Sequence, residues 1–248
     1  MVKYYPFAVS VQGYAHKKKE SLPENSSKNR TFPCQDSSYS NFVEHDYSHK
    51  TDFHLCCACD GHGGAAYFRS GKGSQFAVSA ITETLIKNID KISLSATDED
   101  INNSILVIIN DFVTLWEEKV NTDLTQYPVT ENEFHILKEE NPEAAKKYIA
   151  GEDLTSIYGT TAIIFFKTET LWVALQIGDG DIFIQDDDGK FIKPLLDDPN
   201  NFLNQTTSLC DINAKEEFRI AFGKKIPKAV FCSTDGLINS FSNENQLK

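Results

Sequence analysis

Residues 7–15 (Phe7-Ala8-Val9-Ser10-Val11-Gln12-Gly13-Tyr14-Ala15) alternate apolar with small or polar side chains, the period-two pattern of a half-buried strand. A polar stretch from Lys17 to Asn29 reads as a loop. Ser37 to Val43 is a second expected strand, and the apolar run Phe53 to Cys59 a buried third. The period then changes. Behind Ser74 as a cap, Phe76, Ala80, Ile81, Leu85, Ile89 and Ile92 share one helical face. Thr97 and Asp100 form a capping-box pattern that opens a longer helix carrying Ile101, Ile105, Ile108, Phe112, Trp116 and Val120. Residues 121–155 are polar and read as a surface insertion, with Asn141-Pro142 starting a short helix through Tyr148. Strand character returns at 160–166, 171–177, 182–184, 191–195, 218–222 and 229–232, with turns at 167–170 and 186–189 and a polar loop at 197–215. Strands, then helices, then strands point to an α+β domain rather than alternating βαβ units.

Three of the buried strands end in the same way, at Asp60-Gly61, Asp179-Gly180 and Asp235-Gly236, and Asp36 stands just before a fourth. One Asp-Gly pair is an ordinary turn signal. The repetition matters more. If those strand ends converge, hard oxygen ligands gather in one cleft, which is the coordination that magnesium and manganese prefer. A nuclease, a calcium-binding module and a phosphatase could each use such a cluster, and spacing alone does not separate them. The run Asp186-Asp187-Asp188-Gly189 lacks a ligand-spaced continuation and reads as a hairpin turn.

Composition narrows the classes. At 248 residues, 40% apolar and 24% charged, the chain is of ordinary globular make-up. A net charge of -12 argues against nucleic acid as a partner. No apolar run approaches the roughly eighteen residues of a membrane span, and the N-terminus lacks a signal-peptide core, so a soluble cytoplasmic protein, with no membrane partner and a monomer favoured, is expected. Of the six cysteines, Cys56 and Cys59 have Cys-x-x-Cys spacing inside an apolar run, which fits buried reduced thiols better than a zinc site.

The acidic motifs also resemble a known family. Pro33-Cys34-Gln35-Asp36, Ala58-Cys59-Asp60-Gly61-His62-Gly63-Gly64, Tyr158-Gly159-Thr160-Thr161-Ala162, Ile177-Gly178-Asp179-Gly180 and Ser233-Thr234-Asp235-Gly236-Leu237 occur in the order found in the metal-dependent protein phosphatases (the PPM, or protein phosphatase 2C, family), closer in form to bacterial members. The resemblance implies one domain over residues 1–248 with a four-layer α/β/β/α sandwich of two antiparallel sheets. It implies a serine/threonine phosphatase acting on phosphoprotein substrates through a water activated by two Mg2+ or Mn2+ ions, with a third ion in many members. Asp60 matches the bridging carboxylate, Gly61 a carbonyl ligand, Asp36 and Asp235 further metal ligands, and Asp179 the aspartate serving the third ion. His62 matches the histidine proposed to protonate the leaving alkoxide.

Three positions depart from the pattern. Gln35 stands where many members have Glu. Thr31 occupies the place of the phosphate-binding arginine, leaving Arg30, and beside it His16, as substrate-binding candidates. The family's last aspartate has no match before Lys248, so either the chain is cut short or one metal site lacks a ligand. The alternative function is a phosphatase-fold binding or regulatory protein with impaired catalysis.

Overall fold

The structure, a computed structural model, describes residues 5–11, 34–94, 97–152, 154–196 and 206–238. Strands β1 (Ser37–Val43) and β2 (Phe53–Cys59) pair antiparallel, Ser37 opposite Cys59. Strands β3 (Ala162–Lys167) and β4 (Trp172–Ile177) form a hairpin closed by Thr168 N–H on Leu171 O at 2.8 Å. With β5 (Asp181–Gln185), β6 (Phe191–Ile192), β7 (Arg219–Gly223) and β8 (Ala229–Ser233), they make a five-stranded sheet ordered β1-β2-β3-β4-β7 and a three-stranded sheet ordered β6-β5-β8. All these pairings are antiparallel.

Side-chain alternation along the strands builds two cores. On β2, Phe53, Leu55, Cys57 and Cys59 face the helices α1 (Ser70–Ser93) and α2 (Asp98–Gln126), in one large cluster with Ile81, Leu85, Ile105, Phe112 and Trp116. The opposite face of the same sheet sends Ile163, Phe165, Trp172 and Ala174 against Ile182 and Ile184, with Val230 and Cys232 packed at the margin. The α+β class with two antiparallel sheets therefore stands, and the described residues form three of its layers: helix, sheet, sheet.

The expected helical faces are buried, and Thr97 with Asp100 closes a reciprocal capping box at the start of α2. The first helix differs at its start. It begins at Ser70, and Ser74 lies inside it, its hydroxyl donating to Gln35 O at 2.6 Å. A serine that reads as a cap here ties the helix to the residue before Asp36, because a buried hydroxyl needs an acceptor and the neighbouring chain offers one. The two helices approach closely at Gly73, whose carbonyl accepts from Trp116 Nε1 at 3.0 Å. A Cβ at Gly73 would stand 1.8 Å from Tyr158 O, so glycine is required there.

Two further helices follow, α3 (Glu131–Glu140) and α4 (Pro142–Ile149), the latter capped by Asn141 on Ala144 N–H as the sequence indicates. Helix α3 escapes a periodicity reading because it buries only Leu137; its signal is a second capping box, Thr130 with Glu133. The alternating segment 7–15 is a correction. Residues 7–11 join no ladder, and Phe7, Val9 and Val11 are exposed, while 12–15 lie outside the described residues. Alternation makes a strand only where a neighbour supplies the hydrogen bonds, and Ser10 meets β1 through a hydroxyl contact with Ser38 instead. The final α5 (Asp235–Ile238) is a single turn.

Candidate metal centre

The strand registers bring the acids together. Ser37 lies opposite Cys59, so one step further along the ladder Asp36 faces Asp60. In the other sheet the ladder ends at Asp181 opposite Ser233, two residues from Asp179 on one chain segment and from Asp235 on the other. Each sheet thus ends close to two of the aspartates. Packing of β8 against β2 and β3 then sets one pair beside the other.

The side chains touch across that junction. The Asp60 carboxyl is in hydrogen-bonding contact with both Asp36 and Asp235, and Asp36 also accepts from Gly61 N–H and the Thr234 hydroxyl. Burial, then the charge of Asp36 and its hydrogen bond, then Asp235, push the Asp60 carboxyl up to about 9. Burial pushes Asp36 up as well, opposed by the hydrogen bond from Asp60. Asp179 is raised by burial first and by the charge of Asp235 second. These directions agree with one picture: Asp60 holds a proton that it donates to its neighbours, because several carboxylates cannot be ionised side by side in a half-buried site.

The backbone around Asp60 is fixed from both sides. Its N–H donates to Thr161 Oγ1 at 3.0 Å, and its carbonyl accepts from Thr161 N–H at 2.9 Å and Thr160 Oγ1 at 2.8 Å. At Gly61 a Cβ would stand 2.5 Å from Gln35 O, so the close approach of this turn to the Asp36 strand excludes any side chain. Gly178 at φ 93° and Gly180 at φ 120° flank Asp179 in a backbone region that favours glycine. Asp179 N–H donates to Thr206 Oγ1 at 2.9 Å.

Of the residues the sequence singles out, Asp36, Asp60, Gly61 and Asp235 line one cleft, while Asp179 does not line it but feels the charge of Asp235. His62 lies differently. Its ring packs edge-on against Tyr67 with centroids 5.0 Å apart, and its Nε2 is 2.7 Å from Ser208 Oγ. Ser208 Oγ lies 3.1 Å from Thr160 O and has one proton to give there, which makes His62 the donor in the shorter contact. Burial lowers His62 to about 4, so the ring is neutral. Its backbone carbonyl accepts from Ser70 Oγ at 2.8 Å, and the same Ser70 oxygen accepts from Gln35 Nε2 at 2.6 Å. Gln35 is thus turned toward helix α1. His16 and Arg30 lie outside the described residues. Sequence reasoning quoted Thr160 and Thr161 within a motif but gave them no role, and it passed over Thr206 and Ser208, which lie in the polar loop without a local signal.

The donor set suits a hard divalent cation: carboxylate and carbonyl oxygens, no thiolate, and mutual repulsion that a cation relieves. The buried Ser233 hydroxyl beside the cluster has no protein partner among the described residues. Among those residues the carboxylates are hydrogen-bonded to one another rather than spread as a ready ligand cage. The cleft opens into a groove of about 890 Å3 that runs between the sheets, past Asp36, Asp60 and Asp235.

A family model for protein phosphatase 2C matches residues 25–248. No curated protein matches the chain. Among solved structures, a variant of a bacterial serine phosphatase is similar over 88% of this chain and 76% of its own, with 14% identity and a TM-score of 0.52. The serine/threonine phosphatase Stp1 from Staphylococcus aureus shares 14% identity over 88% and 76%, at a TM-score of 0.49. A serine/threonine phosphatase from S. agalactiae shares 18% over 86% and 78%, at 0.48. The first of these similarities supports the fold.

Proposed function

The chain belongs to the protein phosphatase 2C family, and from that premise we propose that it is a metal-dependent serine/threonine phosphoprotein phosphatase whose centre is held by Asp36, Asp60, Gly61, Asp179 and Asp235. The observation that carries this reading is the meeting of Asp36 and Asp60 from one sheet with Asp235 from the other, with Asp60 pushed up to about 9. Asp60 touches acids from both sheets, so Asp36, Asp60, the Gly61 carbonyl and Asp235 would together hold the cations. Asp179, raised by burial and by the charge of Asp235, extends the set toward a third position.

Mg2+ or Mn2+ ions held there would lower the pKa of a bound water and neutralise charge on the phosphoryl group. The protein's own part is positioning. Thr160 and Thr161 hold the Asp60 backbone, Thr234 orients the Asp36 carboxylate, and Thr206 fixes the Asp179 turn. The open groove admits a phosphorylated side chain to the acidic end while the rest of the polypeptide lies outside. Arg30, with His16, remains the proposed contact for the phosphate. For His62 the geometry supports a role in bracing the Asp60 turn, through Ser70 on its carbonyl and Ser208 on its ring, more than protonation of the leaving group.

The test is hydrolysis of a phosphothreonine peptide by the full chain with Mn2+, then after chelation, then with Mn2+ restored. Turnover that disappears with chelator and returns with cation is expected. Turnover indifferent to chelator contradicts the metal mechanism, and none with any divalent cation favours the binding-protein alternative, to which the inward turn of Gln35 would then belong.

A further inference from the structure

The alternation that sends Cys57 and Cys59 toward the helices sends Cys56 the other way, into the space between the sheets. Cys232 on β8 faces the same space. The Cys232 thiol donates to Cys56 O at 3.9 Å, which sets the two side chains next to each other. Both are half-buried and line the groove that also holds Asp60 and Asp235. We propose that Cys56 and Cys232 are a peroxide-responsive pair that closes into a disulfide joining β2 to β8.

The arrangement meets the requirements of that chemistry. The thiolate is the attacking form, and the neighbouring Cys232 holds Cys56 below the usual thiol range while Cys232 itself is pushed up by Cys56 and by burial. The Cys56 thiolate attacks one peroxide oxygen, breaking the O–O bond and releasing hydroxide, to give a sulfenic acid. The Cys232 sulfur then attacks the Cys56 sulfur, its proton leaving with the displaced hydroxyl as water, and the S–S bond forms. Two thiols are oxidised by two electrons, and one peroxide is reduced to two waters. The other near pair, Cys57 and Cys59, is closed to oxidant at 2% and 0% exposure, and lies on one face of a single strand. Neither condition applies to Cys56 and Cys232, which approach from different sheets.

The bridge would act on the acidic centre through short lengths of strand. Cys56 lies four residues before Asp60 and Cys232 three before Asp235. Joining the sulfurs at the disulfide length of about 2.05 Å would tie β8 to β2 beneath those acids. Displacement on the order of 1 Å at a catalytic constellation costs roughly a hundredfold, so a reversible loss of turnover of about tenfold or more is expected. The bridge needs only the two thiols; its effect on turnover rests on the phosphatase reading above.

The experiment treats the full-length protein with hydrogen peroxide and follows it by non-reducing peptide mass spectrometry and by phosphothreonine-peptide hydrolysis with Mn2+. A Cys56–Cys232 cross-linked peptide should appear, vanish on reduction with dithiothreitol, and be absent from both Cys56→Ser and Cys232→Ser. Turnover should fall in the wild type, recover on reduction, and hold in Cys56→Ser. No cross-link, or one between other cysteines, overturns the proposal, and a cross-link that leaves turnover unchanged overturns its regulatory part. A protein that forms the bridge but shows no turnover before peroxide establishes the pair and contradicts the phosphatase reading instead.

Discussion

Asp60 is the residue on which the account depends. Its proton is present because three acids share one half-buried space, and a bound cation must displace it. Two outcomes follow. Mn2+ binding near pH 7 should release a proton, read by calorimetry as a binding enthalpy that changes with the ionisation enthalpy of the buffer; the same enthalpy in all buffers would contradict the protonated Asp60. The second concerns stability. A carboxyl raised from its ordinary 3.8 to about 9 in the folded chain contributes stability that is full below the ordinary value and lost as pH rises toward 9. Metal-free protein should therefore melt lower at pH 8 than at pH 5. Asp60→Asn should flatten that difference, while abolishing the rise in melting temperature that Mn2+ gives the wild type. At Gly61 the constraint is steric. Gly61→Ala sets a methyl 2.5 Å from Gln35 O, and denaturant unfolding should show a loss of about 1–3 kcal/mol, the cost of overpacking.

Among the elements, what the sequence left hidden was pairing. Each Asp-Gly strand end was visible, because an apolar run followed by a turn signal is a local pattern. That Asp36 meets Asp60, and that Asp235 of the other sheet joins them, depends on ladders and packing between strands far apart in the chain, and no local pattern records those. The helices show the same division. The capping boxes of α2 and α3 lie within four residues and are readable, whereas the burial of Arg69 is not. That side chain is 7% exposed and meets Glu133, Tyr158 and the Tyr127 carbonyl, with Asp123 nearby at 3.6 Å. The network ties α1, α2 and α3 to the turn before Thr160, and so to the clamp on Asp60. Removing one partner from a buried charge cluster strands the others, so Arg69→Ala should cost about 3–5 kcal/mol in urea unfolding; a change within about 0.5 kcal/mol, as at an ordinary surface site, would show the cluster to be dispensable. Its carboxylates, Asp123 and Glu133, are held below their ordinary range by Lys72, Arg69 and neighbouring hydrogen bonds despite burial. Their contribution is present above the ordinary carboxylate range and is lost as pH falls.

At the scale of the whole molecule, two sheets meet face to face and their ends supply one acidic cleft. The class of fold was legible from the order of strands and helices, and the family from five motifs in order. The position of His62 was not, since its motif says which residue stands there but not that its ring turns onto Ser208 and Tyr67. The groove between the sheets was not legible either, because it arises from how the two layers pack. The most direct check on this architecture is the initial rate of phosphothreonine-peptide hydrolysis as a function of Mn2+ concentration, for wild type beside Asp60→Asn. Wild type should show a saturable rise with cation, and Asp60→Asn a rate lower by at least about a hundredfold at every concentration, as expected when a catalytic constellation loses its geometry. Equal rates in the two proteins would contradict a centre built on Asp60.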